Sequence, residues 1–135
     1  MLTEDDLVRA LRRHWDYAGR DEDISHEIYR EDAVLEFPQS GERFEGVENF
    51  REWRRQYPAE LKFHLRRINQ RDDLVVTEYL ISYDGAPWMF TVSIMEFLDD
   101  RVVRERIYIM DGWEAADWRR PWRAERLADP VPPPP

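Results

Sequence analysis

The chain contains no cysteine and, among its 135 residues, a single lysine, Lys62. Without cysteine it can form no disulfide bond and no thiolate metal site. The sequence also lacks any run of about eighteen apolar residues, the length that a membrane-spanning helix requires. Three of its first six residues are acidic, where a signal peptide would carry a basic region followed by an apolar one. We therefore expect a cytoplasmic protein with no membrane association.

The charge is strongly negative. Twenty basic residues face 29 acidic ones, for a net charge of −9. A phosphate backbone would be repelled over most of such a surface, so we expect no nucleic-acid partner. The hydrophobic fraction of 42% is enough for one core in a chain of this length. The three histidines, His14, His26 and His64, are scattered without metal-ligand spacing, and no metal site is expected.

The first part of the chain has helical periodicity. Thr3 followed by Asp6 resembles a capping box, and Leu7, Leu11 and Trp15 then recur at helical spacing, which predicts a helix over residues 3–18. A second, shorter helix is predicted over residues 23–30. A short strand is predicted over residues 34–37. A third helix, over residues 48–57, carries an aromatic stripe.

The second part alternates with a period of two. Four strands rich in Val, Ile, Tyr and Phe are predicted over residues 61–69, 74–84, 88–98 and 102–110. Short connections with turn residues join them, which favours sequential antiparallel hairpins. Helices followed by a meander indicate an α+β fold.

The C-terminal end has a different character. Trp113, Trp118 and Trp122 recur among arginines, and residues 130–135 are almost entirely proline. Such a tail cannot join a sheet or a helix and is expected to be extended or disordered. We predict one domain over residues 1–126 and a proline-rich tail over residues 127–135.

The order of these signals resembles a known family. Residues 28–41 (IYREDAVLEFPQSG) read as a helix end, a charged pair and a short strand broken by Pro38 and Gly41, with Gly46 and an amphipathic helix behind them. This order is similar to the SnoaL-like branch of the nuclear transport factor 2-like (NTF2-like) superfamily, over about residues 3–111. The resemblance implies a cone-shaped α+β fold in which three N-terminal helices pack on a curved, mostly antiparallel sheet around a pocket.

The resemblance also allows comparison with enzymes of that superfamily. Ketosteroid isomerases carry a basic aspartate where this chain has Phe37, and their second acid falls near Ser93. Limonene epoxide hydrolases need an Arg-x-Asp pair that is missing from residues 91–95. Isomerisation through an enolate is therefore not expected, because the carboxylate that would take the proton is absent.

An alignment to the superfamily predicts which strand residues face the pocket. Side chains alternate between the two faces of a strand, so these assignments depend on one another. A shift of one residue in the alignment would move every residue of a strand to the opposite face. The inward set is Thr77, Tyr79, Ile81, Thr91, Ser93, Met95, Phe97, Val103, Glu105, Ile107, Ile109 and Asp111. The outward set includes Glu78, Glu96, Arg104 and Arg106.

Glu105 and Asp111 are the candidate acid and base. A carboxyl group that faces an apolar cavity has a raised pKa, which suits general acid or base catalysis. The structural alternatives are that Glu105 pairs with an arginine across the sheet and that Asp111 caps a strand end near solvent. Tyr79 is a candidate hydrogen-bond donor to a bound carbonyl, or simply a packed ring whose hydroxyl is satisfied locally.

The candidate ligand-binding residues combine aromatic, thioether and polar side chains. They are His14, Trp15, Phe37, Trp53, Ser93 and Met95. His14 and His64 could titrate in a hydratase or dehydratase, or lie at the surface. The aromatic residues could line a cavity for a small apolar ligand or only fill the core.

These features lead to two expectations for function. The first is a protein that binds a small apolar organic molecule and, if it is an enzyme, catalyses cofactor-free cyclisation, dehydration or isomerisation. The alternative is a non-catalytic binding or dimerisation module whose own side chains fill the cavity. The mixed apolar and charged outer sheet face predicts a homodimer, with the three C-terminal tryptophans over the pocket mouth or on the partner.

Overall fold

The computed structural model describes residues 3–135; Met1 and Leu2, the first residues of the acidic start, lie outside them. Three α-helices, α1 (Glu4–Tyr17), α2 (Glu22–Ser25) and α3 (Val47–Arg55), precede most of the sheet. Two 3-10 helices, His26–Ile28 and Asp117–Trp122, complete the helical part. None of these helices is long and apolar enough to cross a membrane.

Six strands form one sheet. They are β1 (Tyr29–Phe37), β2 (Glu42–Glu45), β3 (Leu61–Arg71), β4 (Leu74–Tyr83), β5 (Met89–Leu98) and β6 (Arg101–Met110). Their order is β2-β1-β6-β5-β4-β3, and only the β1–β6 pair is parallel. The fold is therefore α+β, as predicted. The sheet is curved, as expected, but open rather than closed into a barrel, with β2 and β3 at its edges.

The first helix confirms the capping signal. The Thr3 side chain accepts a hydrogen bond from the Asp6 backbone amide at 3.1 Å and so satisfies one free N–H of the first turn. Leu7, Leu11 and Trp15 are buried on one face, which holds α1 against the sheet. Gly19 follows the helix with φ of 78°, a conformation that glycine adopts without strain.

The predicted helix over residues 23–30 is wrong in its second half. The α-helix ends at Ser25, a 3-10 turn follows, and β1 already begins at Tyr29. Tyr29 is drawn into the sheet because it pairs with Val102 of β6, 73 positions along the chain, which local periodicity cannot reveal. Strand β2 was not predicted either, since its four residues form an exposed edge without alternation.

The four long strands and the third helix agree with their predicted positions. Asp72, Asp84 and Asp99 adopt positive φ values in the tight connections, at 55°, 53° and 58°. A bulge between Glu96 and Phe97 shifts the pairing with β6, so that Val102 rather than Val103 is fully buried. The predicted inward position of Val103 is therefore wrong.

The C-terminal segment lies on the outside of the domain. Trp113, Trp118 and Trp122 are 83%, 72% and 78% exposed, and none of them covers the cavity described below. Beyond Trp122 the described chain contains no helix or strand. The tail returns to the sheet, where the indole N–H of Trp88 donates to the Pro133 carbonyl at 3.1 Å.

Candidate functional site

A cavity of about 460 Å³ lies between the helices and the inner face of the sheet. It is bounded by the end of α1, the last turn of α3, the β1–β2 turn and strands β3, β4 and β6. Eight aromatic residues contribute to its wall: Trp15, Phe37, Phe44, Trp53, Tyr57, Phe63, Tyr79 and Tyr83. A wall of this kind suits an apolar organic molecule of one or two rings.

Three of the predicted ligand-binding residues are rings of this wall. Trp15 packs on Tyr79 with ring centroids 3.9 Å apart, and Phe37 and Trp53 meet at 6.0 Å. The rings contact one another around the cavity and leave its volume free. The structure therefore differs from the alternative in which Trp15, Phe37 and Trp53 plug the space.

His14 lies at the inner end of the cavity, on the last turn of α1. Its Nδ1 is 2.6 Å from the carbonyl oxygen of Ser25. A carbonyl only accepts hydrogen bonds, so Nδ1 carries the proton and Nε2 carries the lone pair. Within residues 3–135 no hydrogen bond reaches Nε2. Burial lowers the pKa of His14 to about 4, so the ring is neutral at physiological pH.

Arg54 on the last turn of α3 also lines the cavity. Its Nη1 donates to Nε2 of His26 at 2.9 Å and approaches the Tyr29 hydroxyl at 3.5 Å. His26 donates from Nδ1 to the Glu22 carbonyl at 2.6 Å. Burial first, and the Arg54 cation second, lower the pKa of His26 to about 3. His26 is thus a neutral acceptor that orients the guanidinium.

Glu105, the first predicted acid, is fully buried in the middle of β6. One carboxyl oxygen accepts a short hydrogen bond from Tyr29, and the other, Oε2, has no partner in residues 3–135. Burial raises the pKa of Glu105, although the Arg54 cation and the hydrogen bond from Tyr29 act in the opposite direction. Glu105 is not among the cavity-lining residues. A chain of hydrogen bonds connects it to the cavity: Tyr29 donates to Glu105, and Arg54, which lines the cavity, approaches the Tyr29 hydroxyl.

Tyr79, Ser93 and Met95 were predicted to face the cavity together. Only Tyr79 lines it, and its hydroxyl shares a hydrogen bond of 2.9 Å with the Ser93 hydroxyl. Burial raises the pKa of Tyr79 well above its ordinary value, so the hydroxyl keeps its proton. Ser93 and Met95 point inward but are completely covered, beneath the wall rather than in it.

Asp111 does not belong to the cavity. It follows the end of β6, is exposed, and is absent from the cavity wall. The predicted inward position assumed that the alternation of β6 continues past Met110, whereas the strand ends there. A carboxylate in water is not placed to exchange a proton with a molecule inside the cavity.

The sequence interpretation missed Arg54, His26 and Tyr29. A signal for Arg54 was present, because it follows Phe50 by four residues and Val47 by seven and so falls on the apolar face of α3. An arginine on that face is positioned toward the interior. No group of three or more His, Asp or Glu side chains with a metal-binding arrangement occurs in residues 3–135.

Known proteins share this fold. An NTF2-like protein of unknown function from Burkholderia xenovorans LB400 is 41% identical, with a TM-score of 0.84 over 92% of this chain and 98% of its own. An LEH-like epoxide hydrolase of M. tuberculosis is 18% identical, with a TM-score of 0.65 over 76% of this chain and 81% of its own. No curated protein matches the chain.

A third solved structure is a protein from Catenulispora acidiphila with a ketosteroid isomerase-like fold, in complex with trimethylamine. It is 15% identical, with a TM-score of 0.64 over 78% of this chain and 86% of its own. The model of the SnoaL-like domain matches residues 8–105, which is most of the folded part. Together with the 41% identity to the Burkholderia protein, this match shows that the chain belongs to the SnoaL-like family of the NTF2-like superfamily.

Proposed function

We propose that the protein binds a small, mostly apolar organic molecule in the cavity between its helices and its sheet. The observation that carries this proposal is the combination of about 460 Å³ of space, an aromatic wall and polar lining residues that include His14 and Arg54. Binding sites for small molecules have this composition, with few polar groups that orient an apolar body. The ligand would be held by ring contacts and oriented by those two side chains.

Proton transfer is the second candidate function, and the fixed orientation of the His14 ring at the cavity supports it. Its Nδ1–H is committed to the Ser25 carbonyl, which fixes the ring and directs the Nε2 lone pair elsewhere. A fixed, neutral imidazole at an apolar cavity can accept a proton from a carbon next to a bound carbonyl. In this proposal Tyr79 donates a hydrogen bond to that carbonyl when Ser93 donates to the Tyr79 oxygen.

This assignment replaces the predicted acid–base pair, and it differs from the expectation against enolate isomerisation because His14, rather than the missing carboxylate, would take the proton. Glu105 does not line the cavity, and its role is to hold Tyr29 and, through it, Arg54. Asp111 is outside the cavity and receives no role. The reaction class is a cofactor-free proton transfer such as isomerisation, dehydration or cyclisation, and the remaining alternative is binding without chemistry.

Binding is tested by thermal shift with a library of small ketones, phenols and acids. A ligand that binds only the folded state raises its stability by an amount set by its concentration and affinity. If no compound raises the midpoint of unfolding at millimolar concentration, the proposed binding function is wrong.

Proton transfer is tested separately with 2-tetralone, a two-ring ketone with exchangeable protons beside its carbonyl. NMR in D₂O would follow deuterium incorporation with the wild-type protein and the His14→Gln variant. We expect the variant to lose about 100-fold in rate, as general bases commonly contribute. His64→Gln serves as the matched control, since His64 is exposed on β3 and does not line the cavity. Equal rates for wild type and His14→Gln would leave binding as the only function.

We also propose that two copies pair through the outer sheet face. Val92, Ile94 and Tyr108 are half-buried there, beside an ion-paired cluster in which Glu96 contacts Arg106 at 3.4 Å. The C-terminal tail covers part of the neighbouring β3 region, so the free area lies on β5 and β6. Sedimentation of the full chain and of an Ile94→Arg variant tests this, and an unchanged mass would refute pairing at this face.

A further inference from the structure

The three arginines of α3 differ in their partners. Arg51 pairs with Glu48 at 2.7 Å and with Asp23 at 3.7 Å, and Arg55 pairs with the same Asp23. Arg54, which lies between them and lines the cavity, has no carboxylate within 4.0 Å among residues 3–135. Arg51 and Arg55 therefore form ion pairs with carboxylates, while Arg54 forms none.

The hydrogen bonds of Arg54 use only one end of its guanidinium. Nη1 contacts His26 and Tyr29, whereas Nε and Nη2 have no hydrogen-bond partner in the described chain. The guanidinium carbon lies 5.1 Å from the Trp53 ring, and Arg54 also borders a second, more polar pocket that includes Glu22 and Asp23. An arginine keeps its charge in any protein environment. Glu105 and Glu22 act on this cation electrostatically without contacting it, and a ligand carboxylate in direct contact would stabilise it further.

The nearby acids are occupied elsewhere. Glu22 accepts from the Gly19 amide at 2.9 Å and lies 3.4 Å from Nδ1 of His26. Glu105 is separated from Arg54 by the Tyr29 hydroxyl. Both carboxylates fix the groups around Arg54 without forming an ion pair with it. The side of the guanidinium formed by Nε and Nη2 remains available.

We propose that the ligand of the cavity is a small organic acid, whose carboxylate Arg54 binds through Nε and Nη2. Guanidinium and carboxylate form paired, parallel hydrogen bonds in this geometry, which specify both charge and orientation. The aromatic wall would hold the body of the acid, one or two rings in size for a cavity of about 460 Å³. This inference rests on the proposed binding function and adds the chemical class of the ligand.

Matched pairs of acids and neutral amides test the inference. The probes are benzoate, phenylacetate, cinnamate and 2-naphthoate, each beside its primary amide, measured by calorimetric titration. We expect at least one acid to bind about tenfold or more tightly than its amide, the size expected for a charge-assisted pair. Arg54→Gln should abolish this preference. Arg55→Gln, on the exposed side of the same helix, should retain it.

The outcomes separate the two proposals. If amides bind as tightly as acids, or if none of the four acids binds while other library compounds do, the acid assignment is wrong and the cavity function stands. If no compound of any kind binds, both fail. The acid–amide comparison in the wild-type protein remains decisive even where Arg54→Gln does not fold. A folded Arg54→Gln variant that still prefers acids would also overturn the assignment.

Discussion

Nη1 of Arg54 lies 2.9 Å from Nε2 of His26, and this contact adds to burial in keeping that histidine neutral. A guanidinium can only donate, so His26 must accept and remain neutral. His14 is neutral for a related reason, because burial and the nearby Arg54 cation both disfavour its charged form. The folded protein thus holds two uncharged histidines beside a permanent cation.

The neutral histidines predict loss of stability in acid. Their folded-state pKa values, about 4 and about 3, lie below the 6.5 of the unfolded chain, so the unfolded state binds more protons as pH falls below about 6.5. Each histidine should contribute a slope approaching about 1.4 kcal/mol per pH unit in the free energy of unfolding. Urea denaturation between pH 4.5 and 7.5 measures the slope.

The variant that checks this assignment is His14→Gln. It should remove the contribution of one proton from the slope and leave that of His26. The slope depends on the difference in bound protons between the unfolded and folded states. A loss of stability that is the same at every pH therefore leaves the slope unchanged. Identical slopes for the two proteins would show that His14 is not held neutral by the fold.

Glu105 should have the opposite effect on the pH dependence of stability: it should lower the free energy of unfolding as pH rises. Its folded-state pKa is raised above 4.5, so the folded state binds more protons above that value and loses stability as pH rises toward the folded pKa. Glu105→Gln removes this loss and can still accept the hydrogen bond from Tyr29. We expect its unfolding free energy at pH 7 to lie within about 1 kcal/mol of wild type or above it.

The matched variant for Glu105 is Glu105→Ala. It leaves a void and a Tyr29 hydroxyl without its acceptor, and should cost about 3 kcal/mol. Urea denaturation of both variants at pH 7 makes the comparison. A Gln variant as unstable as the Ala variant would mean that the buried charge itself stabilises the protein.

Much of the fold could be predicted from the sequence, because its helices and hairpins depend on local patterns. The capping of α1 by Thr3 and the alternation of the four long strands are visible within short windows. The parallel pairing of Tyr29 with Val102 is a contact distant in sequence, and no window contains both residues. The same limit explains why the start of β1 was read as helix.

The candidate site was harder to predict for two physical reasons. Alternation along β6 correctly placed Glu105 on the inner face, but it cannot distinguish the cavity wall from the layer beneath it. The strand end at Met110 then removed Asp111 from the cavity. Arg54 was recognisable only as an arginine on an apolar helix face, and its unpaired state depends on where every acid lies.

Filling the cavity should abolish binding without unfolding the protein. Ile109 lines the cavity, whereas its neighbour Tyr108 points to the opposite face of β6. We expect Ile109→Trp to lose the thermal shift given by any ligand found in the library, while its own unfolding midpoint stays within about 5 °C of wild type. Tyr108→Trp should retain the thermal shift. Binding by both variants would place the ligand elsewhere.

Ligand binding should change the titration of His14. Its pKa of about 4 is depressed first by burial, with a further contribution from the Arg54 cation. A carboxylate bound to Arg54 would neutralise that cation and favour the imidazolium, so the pKa should rise toward 6.5. NMR titration of the imidazole nitrogens with and without 2-naphthoate, or another acid that binds, measures the change. In Arg54→Gln the free protein should already show a higher His14 pKa, and the acid should shift it little. A fall in the wild-type pKa on binding would mean that the ligand buries His14 more deeply without placing its charge beside Arg54.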